Sequence, residues 1–148
     1  MPRWTSSNLA IALFTVCLLA DCAYSSPSQP VSSQAVQLNE PFTLAAGQTA
    51  ILEEVLLRIT FDDVLSDTRC PIDVVCVDAG SVAINVSISL RGQATQSLTL
   101  TQDGSADAKR AGYHGYELAL ERVDPDQRSG VTIPLGDYRA TLRVTQQP

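Results

Sequence analysis

The chain has 148 residues, with ten basic and sixteen acidic side chains, a formal charge of −6 and one histidine. Nucleic-acid binding rests on Lys and Arg neutralising phosphates, so a chain of this sign is not a nucleic-acid partner. The length suits one domain behind a removable leader, large enough to bury roughly two thirds of the surface its unfolded chain exposes.

Residues 1 to 8 carry Arg3 and no acid, Leu9 to Ala20 form an apolar run, and small residues follow. That is the plan of a secretory signal peptide, and the run is shorter than the roughly 20 apolar residues that span a bilayer. Export is therefore expected, with residues 1–22 as the signal segment. Its removal takes away Arg3 and Asp21, which cancel, so the charge stays at −6. Two endings of the leader are open. Leu19-Ala20-Asp21-Cys22 resembles the bacterial lipoprotein box, whose cysteine is acylated and becomes the mature N-terminus, although Asp21 stands where that box prefers Gly, Ala or Ser. An ordinary cut beside Ala20 or Ala23 gives a soluble periplasmic or secreted protein instead. Residues 23–35 form a Ser/Pro/Gln tract without apolar periodicity, the composition of a flexible tether.

With Cys17 in the leader and Cys22 acylated or removed, the mature domain keeps Cys70 and Cys76. An even pair in an exported chain points to a disulfide. Two cysteines with no neighbouring histidine cannot fill a tetrahedral zinc shell, and the spacing is not that of a C-x-x-C redox pair.

The domain, residues 36–148, reads as strands and turns. Val36 to Thr43 contains Pro41 and predicts a short edge strand, since Pro cannot donate to a ladder. Thr49 to Val64 is apolar-rich, with Leu57, Ile59 and Phe61 alternating against Arg58, Thr60 and Asp62, which predicts a strand with one buried face. Val82, Ile84, Val86, Ile88 and Leu90 give the clearest alternation. Leu98 and Leu100 follow, then a break at 102–107 and a possible single helical turn at 106–110. Further alternation runs through Tyr116, Leu118 and Leu120, and through Tyr138, Ala140, Leu142 and Val144. About seven short strands with no helical period predict an all-β antiparallel sandwich, immunoglobulin-like in plan.

The catalytic inventory is thin. His114 sits between tyrosines with no orienting partner in sequence, so a non-enzyme is expected, with no cofactor and no metal. Seven acids between Glu53 and Asp78 leave calcium-dependent binding as a weaker alternative, but they lack the D-x-D-x-D-G register of a dedicated calcium loop.

One stretch stands out. Asp67-x-Arg69-Cys70-Pro71-x-x-Val74-x-Cys76-Val77-x-Ala79-Gly80 resembles the signature of a family of small, uncharacterised bacterial exported proteins and lipoproteins. The similarity extends over most of the mature domain, including Asp137 to Val144. The resemblance implies an address in the cell envelope and no activity. It also implies Trp at the position that Asp78 fills here. A Cys70–Cys76 bridge would hold Asp67, Arg69, Asp73 and Asp78 at one end of the sandwich as a candidate recognition loop, with Arg69 paired to a carboxylate. The expected protein is thus a monomeric, non-catalytic module presenting this loop to an unknown protein or envelope component, with membrane attachment only through lipid at Cys22. A small protease inhibitor is the alternative, because a rigid loop plugs a cleft at little ordering cost. Mass spectrometry of the mature N-terminus separates the two endings of the leader: lipidation predicts a diacylated Cys22, and an unmodified start at any other residue rules it out.

Overall fold

A computed structural model describes residues 32–103 and 110–148. The signal segment, Cys22, residues 23–31 of the tether and most of the single turn expected at 106–110 lie outside the described residues, and Arg110 opens a strand.

Among the described residues the fold is a β-sandwich of two sheets. The strands are β1 (Ser33–Ala35), β2 (Pro41–Ala45), β3 (Thr49–Leu52), β4 (Leu57–Asp67), β5 (Val82–Leu90), β6 (Gln96–Gln102), β7 (Arg110–Tyr113), β8 (Tyr116–Asp124) and β9 (Arg139–Gln146). One sheet runs in the order β1-β3-β4-β5-β6 and the other β2-β9-β8-β7. All neighbours are antiparallel except β1, which lies parallel to β3.

Nine strands appear among the described residues where about seven were expected, and the extra ones have local causes. The run from Thr49 to Val64 is not one strand: the chain turns at 53–56, where Leu56 takes φ 53°, and β3 folds back on β4. Continuous hydrophobicity hid that hairpin, because its turn carries Val55 and Leu56 rather than Gly or Asn. The edge strand expected over Val36–Thr43 occupies Pro41–Ala45, with Pro41 as its first residue on the outermost strand of its sheet. That is a position where the missing N–H costs no ladder bond. Strand β1 lies at the end of the segment read as linker, so pairing already includes Ser33.

The core is the inner faces of the two sheets. Leu44, Leu57, Ile59, Phe61, Ile84, Leu100, Leu120 and Leu142 are fully buried within it. The alternating residues of β5 and β9 supply Val82, Ile84, Val86 and Ile88 on one side, with Ala140, Leu142 and Val144 on the other.

Two bulges in β4 redirect its second half. Paired residues share a face, and the pairing passes from Phe61↔Val86 to Asp63↔Asn85 and from Val64↔Ile84 to Ser66↔Ala83, so Asp62 and Leu65 are each one residue extra. Simple alternation would send Asp63, Leu65 and Asp67 inward together. The bulges instead align Val64 with Ile84 and Asp67 with Val82, both of which face the core, and leave Asp63 and Leu65 exposed. The second bulge restores the alternation that the first reverses, so Asp67 still reaches the inner side at the open end of the sandwich.

Phe61→Ala removes a fully buried ring from the centre of this core. A loss of about 3–5 kcal/mol is expected in equilibrium urea unfolding, with the denaturant slope unchanged.

Candidate functional site

The stretch from Thr68 to Ser81 joins β4 to β5 and projects from the end of the sandwich where Asp67 lies. Its base continues the β4–β5 hairpin. The Thr68 amide donates to the Ser81 carbonyl at 2.7 Å and the Cys70 amide to the Ala79 carbonyl at 2.8 Å. Gly80 sits in this base with φ 72°, and a Cβ built there would come 1.9 Å from the Thr68 carbonyl oxygen. Both the left-handed backbone and the close approach require glycine.

Arg69 ties the loop to the body. Its Nε and Nη2 donate to the two oxygens of Asp67 at 2.8 and 2.6 Å, its Nη1 donates to the Val123 carbonyl at 2.6 Å, and Nη2 also reaches the Pro125 carbonyl at 2.9 Å. The Asp67 carboxylate further accepts the Arg69 backbone N–H and the Tyr138 hydroxyl. Asp67 is 4% exposed and Arg69 15%. The planar guanidinium fork matches a carboxylate bidentately, a fit Lys cannot reproduce. One side chain thus joins β4, the end of β8 and, through Asp67 and Tyr138, the start of β9.

Burial alone would raise the Asp67 pKa. The Arg69 side chain, Gln127, the Arg69 amide and the Arg69 charge together outweigh it, and the carboxyl titrates below its ordinary 3.8. Arg69 is raised in turn, chiefly by its bond to Asp67. The Tyr138 phenol is raised by burial and then by the charge of Asp67.

The outer part of the loop is pinned separately. Cys70 and Cys76 form a disulfide with Cα atoms 5.9 Å apart. The Ile72 amide donates to the Gln127 carbonyl, and Asp73 accepts both the Ser129 amide and the Ser129 hydroxyl. Those bonds hold the Asp73 carboxyl below its ordinary pKa, the Ser129 hydroxyl contributing most. The loop is thereby fastened to the segment that connects β8 to β9.

The four acidic and basic residues expected to form a recognition surface therefore separate. Asp67 and Arg69 are turned into the body as an anchor, Asp73 holds the neighbouring loop, and Asp78 is exposed at the base of the tip. The position of the implied Trp is thus a solvent-facing one. What the sequence reading missed is the apolar content of the tip. Ile72, Val74, Val75 and Val77 are 57%, 46%, 101% and 102% exposed, whereas the other described valines, Val131 excepted, lie in the core or pack against it. The signal was there in the sequence: four aliphatic residues within a loop bounded by cysteines, where loops are ordinarily polar.

Open depressions flank the loop. One, of about 240 Å³, includes Arg69, Ile72, Gln102 and Arg122, and another of about 460 Å³ includes Asp67, Val131, Leu135 and Tyr138. Neither brings together an acid–base pair. Arg69 spends four of its five side-chain N–H donors on its anchor bonds, and Arg122 pairs with Asp124 and Asp126. His114 lies at the opposite end of the sandwich, where His114 and Gly115 form the two-residue turn of the β7–β8 hairpin with φ 46° and 83°. Positive φ at both central positions is the requirement of a type I′ turn, and the His114 ring lies edge-on to Tyr113. Among the described residues no three His, Cys, Asp or Glu side chains converge as a metal site. The acids of the Glu53–Asp78 stretch are spread between the two ends of the sandwich, with Asp62 bonded to Ser87 and Asp63 to its neighbour's amide.

No family model, curated protein or solved structure matches the chain.

Arg69→Ala leaves Asp67 buried without its cation, and a loss of about 3–5 kcal/mol is expected in urea unfolding at neutral pH. The pH dependence follows from the lowered Asp67 pKa. Its contribution is complete above the unfolded-state value near 3.9 and disappears as pH falls through the lower folded value. Wild type and Asp67→Asn should therefore differ in stability at pH 7 and converge as the pH falls through the lowered folded-state pKa of Asp67. Gly80→Ala should cost more than about 1 kcal/mol through its strained φ and its contact with Thr68. Calcium at millimolar concentration should leave the melting temperature unchanged, since a ligand bound only by the folded state must raise it.

Proposed function

We propose that this protein is a non-catalytic exported recognition module that presents the tip of the Cys70–Cys76 loop to a protein partner in the cell envelope. The observation that carries this reading is the exposure of Val75 and Val77, both fully open to water on a segment fastened at both sides. Clustered exposed aliphatic side chains mark contact surfaces on proteins whose other apolar residues are inside. Pre-fastening matters because ordering a mobile loop at binding costs affinity, whereas a held loop has already met that cost.

The leader composition, the disulfide and the Ser/Pro/Gln tract support export. Tethering by an acylated Cys22 fits the same picture, as does the resemblance to exported bacterial lipoproteins carried by Asp67-x-Arg69-Cys70-Pro71. The net charge of −6 disfavours nucleic acid. The working unit is a monomer whose binding end is the loop end.

A photo-crosslinking side chain at Val75 in intact cells is expected to give a discrete protein adduct, while the same group at Leu56, an exposed residue on the β3–β4 turn at the opposite end, gives none. Val75→Asp with Val77→Asp should abolish the partner's co-purification and leave the melting temperature within about 2 °C, since neither side chain is buried. Identical adducts from both positions would count against a loop-directed partner.

A further inference from the structure

Among the described residues one sheet ends in β1 and β6 and the other in β2 and β7. An outermost strand offers a row of unpaired main-chain groups, and folded proteins blunt it with shortness, proline, charge or cover. β1 has three residues, and β7 has four that include Arg110 and Gly112. β2 opens on Pro41, and the Gln34 side chain already donates to its Thr43 carbonyl. β6 carries no such device. It runs for seven residues, Gln96-Ser97-Leu98-Thr99-Leu100-Thr101-Gln102, with no proline, glycine or charge, and it pairs with β5 in unbroken register.

The open main-chain groups of β6 follow from the ladder behind it. Phe61 bonds on its β3 side, donating its N–H to the Gln48 carbonyl and accepting the Gly47 N–H. Val86, opposite Phe61, therefore exchanges no main-chain bonds with it and turns to β6, where Leu98 is its partner. Alternate pairs of an antiparallel ladder behave alike, so Gln96, Leu98, Leu100 and Gln102 bond to β5. Ser97, Thr99 and Thr101 turn their N–H and C=O groups to the open side.

We propose that β6 pairs antiparallel with β6 of a second copy of this chain, centred on Thr99, so that two sandwiches share one continuous sheet. The strand reads nearly the same in both directions about Thr99. Setting Thr99 against Thr99 puts Ser97 opposite Thr101, Leu98 opposite Leu100 and Gln96 opposite Gln102, like beside like on each face. In that register the open groups also meet: Ser97, Thr99 and Thr101 of one copy face Thr101, Thr99 and Ser97 of the other, each donating and accepting once. A two-fold axis demands such a self-complementary patch. Sliding the pair until Leu98 meets Leu98 sets Gln96 against Leu100 and leaves Thr101 and Gln102 beyond the partner strand. An unrelated strand would use the same main-chain bonds without drawing on that symmetry.

Charge favours the same contact. From Gly92 to Gln102 the chain has no ionised side chain, and the outward residues of β5 beside it are Ala83, Asn85, Ser87 and Ser89. Two copies, each with a formal charge of −6, thus meet on a neutral side. Gln102 lies beside Val82 at the loop end of the sandwich, and antiparallel pairing sets it against Gln96 of the other copy. The two Cys70–Cys76 loops therefore point in opposite directions. The pairing goes beyond the recognition reading and replaces its single-chain working unit with two chains, each keeping its own binding end.

Sedimentation equilibrium of the exported protein tests the pairing. One strand edge is a smaller contact than the standard interface of roughly 1,600 Å², so a reversible pair with a constant on the order of 10–100 µM is expected. At about 500 µM the average mass should move most of the way to two chains. Thr99→Lys sets two ammonium groups against each other across the axis. It should return the mass to one chain and leave the melting temperature of the dilute protein within about 2 °C, since Thr99 is exposed. Oxidation reads the register: Thr99→Cys should crosslink to itself, because opposed Cα atoms lie roughly 5.5 Å apart. Ser97→Cys should not, its counterpart lying roughly 13 Å along the strand. A one-chain mass at about 500 µM overturns the inference, as does a two-chain mass that Thr99→Lys leaves unchanged. Crosslinking of Ser97→Cys as readily as Thr99→Cys overturns it too. The recognition reading is tested separately, by the adduct at Val75.

Discussion

The pairing of Asp67 with Arg69 is the constraint on which the loop end of this molecule depends. A carboxylate delivered to the inner face of β4 is costly to desolvate, and a guanidinium two residues later meets it with two donors while spending two more on the carbonyls of Val123 and Pro125. Removing either partner strands a charge in a place built for two. The pair contributes little to a general inventory of stability, since such pairs often do no better than well-packed apolar residues of similar size. Its specific effect is positional: it fixes where the chain leaves the sandwich and which way the following residues travel.

Fastening then proceeds outward in three steps. The base is a continuation of the β4–β5 ladder closed over Gly80, the flank is Asp73 on Ser129, and the tip is closed by the disulfide. The chain-entropy estimate for a bridge closing so short a loop is roughly 2–2.5 kcal/mol, a modest share for a domain with this core. Its more particular effect is on residues 75–78, which make no backbone hydrogen bonds among the described residues. The unbonded segment is the one that the bridge and the base together restrain.

Most of the architecture was legible in the alternation of β5, β8 and β9, because a sheet with one wet face writes period two into the chain. The hairpin at 53–56 was not legible, since its turn contains no glycine or proline and its flanks are both apolar. The bulges were hidden for a different reason: Asp62 and Leu65 carry no local mark, yet the first insertion reverses the alternation, turning Asp63 out and Val64 in, and the second restores it, so that Asp67 faces inward as plain alternation would place it. At the site, the Cys70–Cys76 pairing and a carboxylate partner for Arg69 followed from residue types and spacing. The acids and arginine drew the sequence reading toward charge, whereas the exposed chemistry of the tip is aliphatic, and only three-dimensional placement separates a buried ion pair from a displayed one.

A restrained segment with no backbone hydrogen bonds among the described residues has an unusual dynamic signature. Backbone ¹⁵N relaxation, read alongside amide exchange, tests it directly in the unbound protein. The account predicts order parameters near 0.85 for Val75, Cys76, Val77 and Asp78, comparable to the strands, together with fast exchange of those same amides and protection at Thr68, Cys70 and Ile72. Order parameters below about 0.6 across the four residues, with the disulfide intact, would contradict the claim that this loop is held ready for a partner.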